Sequence, residues 1–414
     1  MDDMNERIRA LATDSASMDQ KTRIDRYKAL LAEMLTGNLA PLETFVNHVT
    51  SEDCPLVVSR QVLSELAVGL KSLAPETRKQ IGTNALDRIQ PRVTSFEEQA
   101  STIRELLADV YEMEEDWSAA AKMLAGIPLD SGTRHVSDNF KVEKYIKISM
   151  LYLQDEESVS AETFINRASL LITEETSEAL KLQHKVCYAR ILDAKRKFLE
   201  AATRYYQLSQ LTTRTFGELS VSEEDMITSL TMAVTCAVLA PAGPQRSRML
   251  GTLYKDERSH SLPNFPMLEK MFMERLLRAE EVEAFSASLS THQKATLEDG
   301  VETVLDRAVI EHNMLATSKL YANVTFDQLG LLLGIDAAKA ERIAASMLAE
   351  KRLVGSIDQP ESRIHFEHRQ GDEGGTDSAE ALRAFDAQIE HICRTVEVVS
   401  NAIVAQHPEL ATKG

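Results

Sequence analysis

Aromatic residues are scarce in this chain: 5% of 414 positions, with a single Trp. Leu, Ala, Met, Glu, Lys and Arg dominate instead, a composition that favours helices. Cysteine is rarer still. Cys54, Cys187, Cys236 and Cys393 lie far apart and form no Cys-x-x-Cys pair, so idle or buried free thiols in a reducing compartment are expected. Positive charge is also short. The balance of 46 Lys and Arg against 64 Asp and Glu leaves -18, which argues against non-specific binding to nucleic acid or an anionic membrane and permits basic protein partners. The most apolar segment, residues 229–242, is too short and too rich in Thr to span a bilayer. The opening Met-Asp-Asp-Met-Asn-Glu lacks the basic-then-apolar order of a secretory signal.

Signatures of catalysis are missing as well. The sequence has no Gly-x-x-x-x-Gly-Lys-Ser/Thr loop, no Gly-x-Gly-x-x-Gly and no Gly-x-Ser-x-Gly elbow. It has no His-Glu-x-x-His, nor a His-x-His pair with a downstream Asp of the kind zinc isopeptidases use. His365 and His368 flank Phe366 and Glu367, but a strand and its end are a poor frame for a metal site. His312 falls on an apolar helical stripe and reads as a hydrogen-bonded core histidine. No catalytic residue, cofactor or metal is expected.

What the chain does contain is helical pattern. Length suggests two or three domains, and 43% hydrophobic residues suffice for their cores. Up to about residue 90 the pattern is of short helices broken by turns: one ending at Gly37, then 41–49, 55–73 and 75–89. From about Ser95 a repeat emerges. Residues 95–113 form one helix, and Glu115-Asp116-Trp117-Ser118-Ala119-Ala120 opens its partner. Arg196-Lys197-Phe198-Leu199-Glu200-Ala201-Ala202 repeats that order, with a degenerate copy at Ser158-Val159-Ser160-Ala161. Trp117 to Val159 is 42 positions and Val159 to Phe198 is 39, the period of a helical-hairpin solenoid. Trp117 and Phe198 read as packing residues rather than ligand contacts. Two further hairpins are expected, 223–239 with 244–253 and 267–277 with 282–289. The charged runs Gln245-Arg246-Ser247-Arg248 and Lys255-Asp256-Glu257-Arg258 read as solvated faces before partner contacts.

Residues 305–367 change character. Leu305, Ala308, Val309, His312 and Ala316 form one helical stripe. Thr325-Phe326-Asp327-Gln328 is a capping box opening a second helix, whose apolar side is Phe326, Leu329, Leu332 and Leu333 and whose stop is Gly334. Asp336 caps a third, with Ala340, Ile343, Ala344, Met347 and Leu348 as its stripe. The period then becomes two: Leu353, Gly355 and Ile357 alternate, 358–362 turn, and 363–367 return with Ile364 and Phe366 on one face. Three helices and a hairpin make a winged helix. Its third helix carries Lys339 and Arg342 against Glu341 and Glu350, and its hairpin sets Arg363 and Arg369 beside Asp358, Glu361 and Glu367, which is too little basic surface for a DNA reader.

An acidic, Gly-rich linker at 370–377 precedes a last helix over 378–407. Leu382, Phe385, Ile389, Ile392, Val396, Val399 and Ile403 follow one another at steps of 3 and 4, a heptad seam. The helix is about 40 Å long at about 1.5 Å per residue. Covering seven such side chains contributes on the order of 10 kcal/mol gross, so the seam requires a partner: the body of its own chain, or helices of other subunits. The linker and the strict spacing favour the second.

The expected fold is therefore all-α dominated. It comprises a helical-hairpin solenoid of the HEAT or TPR kind over 1–300, a winged helix over 301–369, the linker and the last helix. This plan resembles the PCI-domain scaffold proteins of the proteasome lid, the COP9 signalosome and translation initiation factor 3. The stretches Leu305–Asn313, Ser318-Lys319-Leu320-Tyr321, Thr325–Gly330, Ala337–Glu341, Gln245–Leu250, Lys255–Arg258 and His292-Gln293-Lys294-Ala295-Thr296 are similar to the subunit-four branch of the signalosome. The match runs from about Phe198 to Glu367 and is loose before Ser95. The insert at 371–377 and the short tail after Pro408 depart from the pattern.

The resemblance implies a non-catalytic scaffold in the ubiquitin pathway, in a complex that removes Nedd8 from cullins of cullin–RING ligases. The zinc isopeptidase would sit in another subunit. It further implies winged helices paired edge to edge, with Arg363, Ile364, His365, Phe366 and Glu367 as an edge-strand contact, and C-terminal helices gathered in a bundle along the heptad seam. The arm would reach toward substrate, the location would be nucleus and cytoplasm, and nucleic acid and membrane would not be partners. A proteasome-lid PCI subunit and a winged-helix DNA-binding regulator are the alternatives.

Overall fold

The computed structural model describes residues 19–36, 41–51, 54–130, 136–211, 215–216, 219–296, 302–367, 388–389, 391–400 and 402–403. Two compact units share the chain. The first takes Met1–Ala240, Thr252–Phe265 and Ser288–Thr296; the second takes Pro241–Gly251, Pro266–Ala287 and Leu297–Gly414. A linear division at residue 300 is thus replaced by units that interleave between 241 and 296.

In the first unit, helices Gln20–Thr36, Leu42–Thr50, Leu56–Leu70 and Pro75–Ile89 bury one core around Tyr27, Phe45, Leu63, Leu66 and Ile89. The repeat follows as Glu97–Met113 with Trp117–Ala125, Asp138–Gln154 with Ser158–Leu171, and Glu178–Ala194 with Phe198–Ser209. Each hairpin turns on a left-handed residue that is not glycine: Glu115 (φ 60°), Glu156 (φ 61°) and Arg196 (φ 60°). In each, the next amide donates to the carbonyl five residues back, Asp116 to Tyr111, Glu157 to Tyr152 and Lys197 to Leu192, all at 2.9 Å. This is the Schellman arrangement, which satisfies the last carbonyls of a helix. The second helices open at Trp117, Ser158 and Phe198, so Ser158 occupies the aromatic position and the register inferred through Val159 is off by one. Val159 points to solvent. Ala120, Ala161 and Ala201 share the next register position and are fully buried, where a larger side chain would push the paired helices apart.

Helix Glu223–Leu239 packs against Phe198–Ser209 rather than extending the series with 244–253, of which 244–251 belongs to the second unit. Of the charged runs, Gln245, Ser247, Arg248, Lys255 and Glu257 are exposed as expected, and two departures stand out. Arg246 is buried, and Asp256 holds Arg258 while the Arg258 guanidinium donates to Ser209 O at 2.7 Å.

The second unit contains the winged helix. Helix Val304–Leu320 opens on a capping box formed by Thr303 and Asp306. Phe326–Leu333 is capped by the Thr325 hydroxyl, which accepts from the Gln328 amide, and ends at Gly334 in the left-handed region (φ 69°). Ala337–Ala349 follows from Asp336, whose side chain makes no cap bond. The first unit holds one antiparallel pair, β1 (Thr215–Phe216) and β2 (Leu219–Ser220); in the second, β3 (Asn323–Thr325), β4 (Gly355–Asp358) and β5 (Arg363–Phe366) form an antiparallel sheet in the order β3-β5-β4. Val324 faces Ile364, and Ile364 faces Ile357 across the other side. Gly355 is required because a Cβ there would collide with the His365 carbonyl. Met314, Val324, Phe326, Leu329, Ala344, Met347, Ile364 and Phe366 close the core beneath the sheet.

Candidate assembly surfaces

The winged helix is assembled around one turn of its first helix. Glu311, His312 and Asn313 are consecutive and buried, so the helix is enclosed around much of its circumference here. Each reaches a different part of the same unit. Glu311 accepts from the Ala242 amide at 3.1 Å and from Arg352 Nη1 at 2.5 Å. His312 Nε2 donates to Arg275 O at 2.9 Å. Asn313 accepts from the Leu277 amide at 2.9 Å and donates back to Leu277 O. Desolvation by burial, aided by the nearby Arg246 charge, lowers the His312 pKa to about 4, so the ring is neutral and structural. Burial also lowers Arg246 to about 10, with Glu311 opposing that shift. The helical stripe places His312 in the core, as the structure does; it gives no sign of the contacts of Glu311 and Asn313. Their signal is weak, a carboxylate and an amide on either side of a histidine in an otherwise apolar turn.

The strand residues expected at an edge are not at one. Arg363, Ile364, His365 and Phe366 form β5, the central strand, and Glu367 continues it by donating its amide to Val354 O at 3.0 Å. Asn323–Thr325, extended just before the Thr325 cap, adds the strand that covers β5 on its other side. The edges are β3 and β4. An incoming strand would therefore meet those backbones rather than Arg363–Phe366.

Two apolar pairs stand out on this unit. Leu331 is 84% exposed and Leu332 41%, while Leu320 and Tyr321 project at the end of the first helix. Leu332 had been assigned to the inner side of its helix. Four leucines in Leu329-Gly330-Leu331-Leu332-Leu333 cannot all face one way at 100° per residue, and Leu329 takes the core. On the third helix, Lys339 is paired with Glu302, Gln359 donates to Glu341, and Arg342 is exposed. Arg363 pairs with Glu361 at 3.5 Å; Arg369 lies outside the described residues.

Residues 388–389, 391–400 and 402–403 are helical and exposed at every described position. Of the seam, Ile389, Ile392, Val396, Val399 and Ile403 are between 43% and 60% exposed. Leu382 and Phe385, like the linker 370–377 and His368, lie outside the described residues. Nothing among the described residues covers the seam.

Three cysteines are buried free thiols and Cys393 is an exposed one. Among the described residues no group of three or more His, Cys, Asp or Glu side chains could hold a metal, and no helix is long and apolar enough to cross a membrane.

Two family descriptions match the chain: PSMD12/CSN4, N-terminal, over residues 6–214, and the PCI domain over residues 277–368. The COP9 signalosome complex subunit 4 of Arabidopsis thaliana is 53% identical over 388 residues, covering 94% of this chain and 95% of its own. That of Dictyostelium discoideum is 45% identical, covering 98% and 99%, and that of Drosophila melanogaster 44%, covering 94% and 92%.

Proposed function

The chain belongs to the COP9 signalosome subunit 4 family, and from that membership we propose that it is a non-catalytic scaffold subunit of the signalosome, the complex that removes Nedd8 from cullins. The observation that carries this reading is identity of 53% sustained over nearly the full length of both chains, which leaves neither the solenoid nor the winged helix unmatched. The physical character of the molecule supports it. An apolar helix stripe and the exposed Leu331 and Leu332 are surfaces for protein partners. The wing strands β3 and β4 offer free backbone edges to neighbouring subunits. On the third helix Lys339 is paired with Glu302 and Glu341 stands beside Arg342, in an acidic chain, which favours protein over duplex DNA. In this reading the isopeptidase zinc belongs to another subunit, the partners are the other signalosome subunits and cullin–RING ligases, the solenoid arm contacts substrate, and the protein works in nucleus and cytoplasm.

The test is affinity purification of the tagged chain from its own cells, mass spectrometry of what accompanies it, and a cullin deneddylation assay on the eluate. Signalosome subunits with isopeptidase activity are expected. Recovery of proteasome-lid subunits instead would keep the fold and move the function. Recovery of neither, with salt-sensitive retention on duplex DNA, would replace the scaffold reading by a DNA-binding one. Imaging of the tagged chain checks the compartments.

A further inference from the structure

Helices Ser158–Leu171, Glu178–Ala194 and Phe198–Ser209 of the first unit enclose an open cleft of about 330 Å3. Its polar wall is Asn166, Ser169, His184, Lys185, Arg204 and Gln207, and no carboxylate lines it. That is unexpected in a chain with 64 acidic residues against 46 basic. Two ion pairs lie on the helices that form the cleft. Lys181 holds Glu178 at 2.8 Å, and Lys195 holds Glu162 at 2.5 Å. Glu178, the acid within electrostatic reach of Lys185, is therefore committed elsewhere. Among the described residues Lys185 and Arg204 have no carboxylate partner.

The groups are also held in place. The Arg204 guanidinium lies 5.5 Å over the Tyr188 ring, and Tyr188 stacks on His184 at 6.1 Å and 13°. Ser169 donates its hydroxyl to Ile165 O at 3.0 Å, and His184 Nε2 lies 2.7 Å from that hydroxyl. Burial pushes the His184 pKa down, the hydrogen bond to the Ile165 backbone opposes that shift, and the charges of Arg204 and Lys185 add to it.

We propose that this cleft binds a phosphate monoester group. Two cations match its charge of about -1.5 to -2, where a carboxylate would neutralise only one. Arg204 supplies a planar fork of donors and Lys185 a point charge. Asn166 and Gln207 can donate amide hydrogens to the remaining oxygens. The group arrives either as free phosphate or on a phosphorylated side chain of another protein, and the same four residues would hold it. The site lies wholly in the first unit and does not depend on the scaffold reading.

The test is calorimetric titration of the full-length chain at ionic strength fixed with chloride. The probes are inorganic phosphate, a phosphoserine peptide and the unphosphorylated peptide. Saturable binding of a phosphate probe, absent for the unphosphorylated peptide, is expected. Arg204→Gln and Lys185→Gln, both at exposed positions, should each weaken it about tenfold with an unchanged melting temperature, and Arg204→Lys should fall between. A peptide that binds more tightly than phosphate places the group on a protein; equal binding places it free in solution. The proposal is overturned if neither phosphate probe binds at about 10 mM, or if binding survives unchanged in the Arg204→Gln, Lys185→Gln double variant.

Discussion

Glu311, His312 and Asn313 carry the polar interior of the second unit, and their side chains give it two measurable properties. His312 has a folded pKa of about 4 against an ordinary 6.5. Between those values the unfolded chain binds a proton that the folded chain does not, so the stability contribution is complete above about pH 6.5 and falls as pH drops toward 4. The limit is on the order of 3 kcal/mol. Urea unfolding at several pH values should therefore show a steeper acid loss for the parent than for His312→Gln, which keeps a donor for Arg275 O; parallel curves would remove His312 as the cause. Glu311 presents a different case. Glu311→Gln would leave the largely buried Arg352 guanidinium without its main counter-charge, at a cost of about 3 kcal/mol. A denaturation midpoint equal to the parent's would show that the pair is not stabilising. His312 could be read from the helical period because its neighbours on the stripe are apolar. Arg352 could not be paired with Glu311 in advance, since 41 residues separate them and no local pattern links them.

At the scale of elements, the solenoid turn is the most regular feature. A left-handed residue with a side chain costs about 1–2 kcal/mol relative to one without strain, and glycine escapes most of that cost while gaining freedom in the unfolded chain. Glu115→Gly should therefore raise the stability of the first unit by roughly 1 kcal/mol in a thermal melt, whereas Glu115→Val should lower it. The last helix differs: every position of it that the structure describes is exposed. Ile392 and Val396 are both 60% exposed, so Ile392→Asp with Val396→Asp should leave the melt of the isolated chain unchanged and reduce recovery of partner subunits. Equal recovery would show that the seam is not the contact. The helices were legible in the sequence because period, caps and stops are local; Pro75–Ile89 and Glu223–Leu239 fall where the pattern places them. The central position of β5 was not legible. The strand that covers it, β3, has three residues, too few to show a period of two, and its last residue also serves as a helix cap.

The whole molecule is acidic, and its two units interleave along the chain. Removal of residues 377–414 takes away the entire seam, and the prediction is a chain that still folds but no longer joins the complex, read by co-purification at full occupancy or its loss. Sequence reasoning found the two halves of the plan, solenoid and winged helix, because each rests on periodicity. A boundary at 300 follows the chain linearly, whereas packing assigns Pro241–Gly251 to one unit and Ser288–Thr296 to the other. That interleaving matters when the chain is made. Asp193 is buried, and the side chain that satisfies it, Gln293 at 3.0 Å to each oxygen, is encoded 100 residues later. At about 5–20 residues per second, a ribosome delivers it about 5–20 s after Asp193 has been added. Throughout that interval the nascent arm holds a carboxylate whose amide partner is still to come, so the arm is completed only when most of the polypeptide has been synthesised.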